Sequence, residues 1–205
     1  MSSRRGPGLS LALCAGLLGC GSEGSAIDAP GGGGEGSQTI DAPPGSKRVF
    51  ITAAALTGAL GGLAGGDAQC ATAATGAALG SGPWKAWLST TTVDAIDRIA
   101  GTGPWFDTKG TLVFANRAQL MSMPATTLWY NEAGVFLASD KIWTGTGFGG
   151  TYVAALSGTA PCGEWTSGAM NMQAKVGQVG RSDASWTAQS NTTCDQDSHL
   201  ICFEQ

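Results

Sequence analysis

Apolar residues in this chain come in short runs broken by Gly, Ser and Thr, and only some of the runs keep a period. Residues 9–18 are almost continuously apolar but too short to span a bilayer as a helix. Residues 48–52, Arg-Val-Phe-Ile-Thr, are β-prone and predict a first strand. Leu63, Cys70, Ala71, Ala74 and Ala78 recur near one helical face. They predict a helix over residues 63–79 with Cys70 facing inward, stopped by Gly80 and Gly82-Pro83. Residues 84–89 alternate bulky and small side chains and predict a strand, and residues 92–99 predict a short helix capped by Thr92. A strand over 111–115 follows, then a turn capped by Asn116 that runs through Met121 and ends at Pro124. Residues 141–143 and 162–166 are expected strands, as is the apolar ending 199–203, and the Gly/Ser/Thr-rich segments between and after the first two are read as long loops. Short strands, one or two early helices and much loop predict an α+β domain.

The first apolar run changes meaning once its flanks are included. Arg4 and Arg5 precede it, and Leu17-Leu18-Gly19-Cys20 follows. A charged start and an apolar stretch of this length form an export signal. The Leu-Leu-Gly-Cys tetrad resembles a bacterial lipobox, which implies cleavage before Cys20 and lipidation of that cysteine. Gly21, not Asp, follows it, which resembles the outer-membrane pattern. The expected organisation is a signal peptide over 1–19, a lipidated cysteine and tether over 20–45, and one domain over 46–205. The tether is rich in Gly, Ser, Pro and acid, and repeats Ile-Asp-Ala-Pro at residues 27 and 40. Few of its residues can be buried, so it reads as a spacer.

Charge narrows the partners. Of 11 basic residues, nine remain without Arg4 and Arg5. Of 15 acids, eleven remain without Glu23, Asp28, Glu35 and Asp41, so the domain carries a net −2. No basic footprint for nucleic acid is present. Of six cysteines, Cys14 falls in the signal segment, and four remain besides Cys20: Cys70, Cys162, Cys194 and Cys202. An even set in an exported chain predicts two disulfides, and four cysteines allow three pairings. Zinc is disfavoured by the absence of a Cys-x-x-Cys pair and by a single histidine, His199.

Several short motifs occur in a telling order: Val49-Phe-Ile-Thr52, Lys85-Ala-Trp-Leu-Ser89, Arg98-Ile99, Trp143-Thr-Gly-Thr146, Cys162-Gly-Glu-Trp165, Ser185-Trp186, Cys194 and the ending Cys202-Phe-Glu204. This order resembles the C-type lectin-like fold. More closely, it resembles an uncharacterised domain family of Gram-negative surface lipoproteins placed near the endostatin branch of that fold. The resemblance covers most of residues 46–205. It implies nested disulfides, Cys70 with Cys202 and Cys162 with Cys194. The calcium motifs of sugar-binding members are absent, and Trp186 is followed by Thr187-Ala188, so no cofactor and no calcium-dependent sugar site are expected.

Candidate chemistry is sparse. Asp195-Gln-Asp197-Ser198 is the densest acidic spot, readable as part of a calcium shell or as a solvated turn. His199 has no identifiable acid–base partner in sequence, and no Gly-x-Ser-x-Gly elbow exists. Asn191-Thr-Thr193 matches a glycosylation acceptor, without weight in a bacterial lipoprotein. Trp143, Trp165 and Trp186 are the candidate ligand-contacting residues, since indole rings stack on sugars and anchor protein contacts; packing beneath the loops is the competing role. The region 145–190 is the expected ligand surface. A non-enzymatic, outer-membrane-anchored module that binds an extracellular protein or glycan is the expected function, with a ligand-free envelope protein or a hydrolase as alternatives.

Overall fold

The computed structural model describes Pro43 and residues 45–205. The signal segment, Cys20 and nearly all of the tether lie outside the described residues. No helix among the described residues is long and apolar enough to cross a membrane.

The domain is α+β. Its first sheet has the order β2-β8-β1-β3-β4, from strands β1 (Lys47–Ile51), β2 (Trp84–Ala86), β3 (Trp105–Phe106), β4 (Leu112–Phe114) and β8 (Ile201–Glu204). β1 and β3 run parallel, and the other pairs are antiparallel. A second, antiparallel sheet has the order β5-β6-β7, from β5 (Lys141–Trp143), β6 (Gln173–Gln178) and β7 (Ser190–Thr193). The sheets meet where Trp143 N donates to His199 O at 2.9 Å.

The closing strand lies between β2 and β1, so the end of the chain sits inside the first sheet. Alternation then sorts its residues and those of β1 into two cores. Val49, Ile51, Ile201 and Phe203 belong to one, with Trp87, Trp105, Phe114 and Trp186. Phe50 and Cys202 belong to the other, with Cys70, Trp84, Trp143 and Trp165. Helix α1 (Gly62–Gly76) covers this second face, burying Gly66, Cys70 and Ala74. The disulfide Cys70–Cys202 ties it to β8, and Cys162–Cys194 forms the other bond, the pairing implied by the family order.

Several predicted elements change. α1 stops at Gly76, short of residue 79. Leu79 N donates to Ala74 O and Ala78 N to Thr75 O, with Ala78 at φ 55°, so a Schellman cap ends the helix before Gly80 is reached. The predicted helix over 92–99 shrinks to α2 (Ala95–Arg98). Thr92 does not cap it, and the Asp94 carboxylate is drawn away to Tyr152 N at 2.6 Å. Asn116 does cap a 3₁₀ turn, Arg117–Met121, accepting from Gln119 N. The strand expected over 162–166 is instead one helical turn, Cys162–Trp165, whose four residues all have positive φ. β3, β6 and β7 were not expected from the sequence.

Candidate functional site

The three candidate tryptophans are not a ligand surface. Trp143 and Trp165 are fully buried and Trp186 is 4 % exposed. Each indole N–H is already satisfied inside the protein: Trp143 by Leu56 O at 2.7 Å, Trp165 by Ser89 O at 2.8 Å and Trp186 by Ser122 O at 3.1 Å. Trp143 and Trp165 meet edge to face at 5.8 Å, and Trp186 packs on Trp87 and Phe114. Their role is core packing beneath the loops.

His199 is buried at the seam of the sheets. Its Nδ1 lies 2.7 Å from Thr52 O, its Nε2 lies 3.7 Å from an Asp140 oxygen, and among the described residues no hydroxyl bonds either nitrogen. That geometry lacks a nucleophile for acid–base work. Asp195 and Asp197 are exposed, and Asp195 is held below the ordinary carboxylate range by its bond from the Thr193 side chain. Among the described residues no three His, Cys, Asp or Glu side chains gather as a metal-holding group.

The expected loop surface has one organised feature. The left-handed turn places Glu164 where its carboxylate accepts from Thr91 N, at 3.3 Å, and from the Thr91 hydroxyl. Burial, and then this carboxylate, push the Tyr152 hydroxyl above its ordinary value. Phe148, Val153 and Leu156 are exposed along the preceding loop, Leu156 at 89 %. They form no stacked pair.

A stacked aromatic surface lies elsewhere, on a hairpin that no sequence expectation singled out. Leu137 N donates to Trp129 O at 2.8 Å and Asn131 N to Val135 O at 3.0 Å. Between these strands Gly134, at φ 72°, closes a turn with its N–H on Asn131 O. The Asn131 side chain holds the turn by accepting from Ala133 N and Val135 N. Tyr130 and Phe136 are therefore directly opposed across the hairpin. Phe136 is 56 % exposed, stacks on Trp129 at 5.1 Å and meets Tyr130 edge to face at 6.2 Å. Trp129 also rests on Gly180, where a Cβ would come within 1.9 Å of the ring. Of the seven tryptophans only Trp129 is not buried.

The signal for this hairpin was present. Leu-Trp-Tyr at 128–130 and Val-Phe-Leu at 135–137 are β-prone runs, and the Asn-Glu-Ala-Gly between them carries turn residues. The chain matches no protein-family model, and no curated protein is significantly similar to it.

Proposed function

We propose that this chain is a lipid-anchored module of the bacterial outer membrane with a C-type lectin-like fold, which binds an extracellular protein or glycan without calcium and without catalysis. The observation that carries the reading is the hairpin. Six tryptophans are buried in two cores, while Trp129, only partly buried against the first, stacks on Phe136, which is more than half exposed and meets Tyr130 edge to face. Exposed aromatic clusters on rigid elements are where binding surfaces concentrate. Rigidity comes from Gly180 behind Trp129, from the Asn131-capped turn and from Ile51 N donating to Tyr130 O at 3.1 Å.

The fold reading is supported by the early helix bonded to the closing strand and by the nested disulfides. The anchor reading rests on Leu17-Leu18-Gly19-Cys20 behind a charged, apolar leader. Cys20→Ala should release the protein from membranes, and retention after a high-salt wash would count against a lipid anchor. For the surface, glycan arrays and protein capture with the full chain should yield a ligand that Phe136→Ala loses. Capture undiminished by that change would reject the hairpin as the site.

A further inference from the structure

We infer that the hairpin, together with Lys109, is a docking surface for an acidic glycan, one whose sugar rings carry carboxylates. The inference rests on the binding-module reading and gives it a ligand class. Lys109 sits on the turn Asp107–Gly110, which is fixed by the Asp107 carboxylate accepting from Lys109 N and Thr111 N, each at 2.8 Å. Its side chain lies along the hairpin turn, within 3.0–3.8 Å of where a Gly134 Cβ would be. The ammonium stands 5.8 Å from the Tyr130 ring centre. Lys109 is exposed and, among the described residues, forms no ion pair.

A cation and three rings thus follow one another, with steps of 5.8, 6.2 and 5.1 Å from Lys109 to Tyr130, Phe136 and Trp129. The aromatic rings present π faces on which the C–H face of a sugar stacks, and the free ammonium calls for an anion on the same ligand. The acids on the same two turns form no ion pair with Lys109. Asp107 is turned into its own loop, and the Glu132 carboxylate accepts from Ala53 N at 2.8 Å. The other nearby cation, Arg181, beside Gly180, is already paired with Asp183 at 2.5 Å.

A protein partner is the less fitting occupant. A stable protein interface covers about 800 Å² on each side around a buried anchor pocket. Here the hairpin is followed by exposed Ala138, Ser139, Asp140 and Lys141, and the rings stand at a turn, not in a groove. A sugar needs no groove. Its ring face stacks while its hydroxyls stay in water, and one carboxylate reaches the ammonium.

The test is titration calorimetry of the full chain in detergent micelles with three probes. These are a galacturonic acid oligomer, the neutral galactose oligomer of the same length, and an apolar peptide ending in a free carboxylate. The acidic oligomer should bind about fivefold tighter than the neutral one, the upper end for a solvent-exposed ion pair. Lys109→Gln should erase that preference, and Phe136→Ala should weaken both sugars by about tenfold, the equivalent of one lost stacking contact. Both residues are exposed, and unchanged circular dichroism would show that the variants fold. Equal binding of the two sugars, or a preference that survives Lys109→Gln, overturns the acidic-glycan inference and leaves the module reading standing. Binding of the peptide alone overturns it in favour of a protein partner. If no hairpin-dependent binding of any probe appears, and arrays and capture are also blank, both readings fall.

Discussion

The two disulfides should contribute unequally, and the fold says by how much. Cys70–Cys202 spans 132 residues and Cys162–Cys194 spans 32. In the chain-entropy description these loops correspond to roughly 5 and roughly 4 kcal/mol of stabilisation. Removing the longer bond with Cys70→Ala/Cys202→Ala also frees α1 from β8, which lies between β2 and β1. All four cysteines are fully buried, so alanines add a packing loss in either pair and do not separate the two. Removing the shorter bond has a compensation. Cys162, Glu164 and Trp165 are non-glycine residues at φ 46°, 57° and 65°, and left-handed backbone costs about 1–2 kcal/mol per such residue. Without the bond the turn can relax toward ordinary backbone, which returns part of the loss. Urea unfolding of the two double variants should therefore show a loss of about 5 kcal/mol or more for the first and clearly below 4 for the second. A domain of ordinary stability, 5–15 kcal/mol, would be near its limit with the first change. Equal losses, or a larger loss from Cys162→Ala/Cys194→Ala, would refute the reasoning.

Three further outcomes follow from single contacts. Asp67 receives Arg98 at 2.5 Å, Lys85 at 2.8 Å and Ala86 N at 3.0 Å, with the Arg98 side chain only 8 % exposed, so Asp67→Asn should cost about 3 kcal/mol in urea unfolding by stranding that charge. Gly180→Ala meets the Trp129 ring at 1.9 Å and must hold φ 73°, so it should unseat Trp129, seen as a shifted fluorescence maximum and a loss of about 1–3 kcal/mol. Asp183 is held down to about 2 by its bonds from Arg181 and then Ser185. Its stabilising contribution is complete above the unfolded carboxylate value near 4 and is lost as pH falls through about 2. An NMR titration should find that midpoint, and Arg181→Gln should move it upward.

Much of the fold was legible where local signals and tertiary structure agree. Cys70 on the inner face of α1, the Asn116 cap and the closing apolar strand all follow from spacing and side-chain chemistry. β6 was not legible, because Gln173-Ala-Lys-Val-Gly-Gln178 has weak strand propensity and is a strand by virtue of pairing with β5 and β7. Residues 162–166 misled for the opposite reason: the disulfide at Cys162 and the buried Trp165 hold a conformation that propensity disfavours. Tryptophan content carried no information about burial. Trp143, Trp165 and Trp186 drew attention because they sit in ordered motifs, yet those motifs mark the core. Trp129 sits in a plain hairpin pattern, and its exposure depends on Gly180 and Phe136, which are distant from it or on the facing strand.

Acrylamide quenching of tryptophan fluorescence tests the central claim, that the Trp129 hairpin and not the loop-region tryptophans is the aromatic surface. For the full chain, one tryptophan of the seven should be readily quenched, and Trp129→Phe should remove that accessible fraction while Trp165→Phe leaves it in place. An accessible fraction that survives Trp129→Phe would contradict the account.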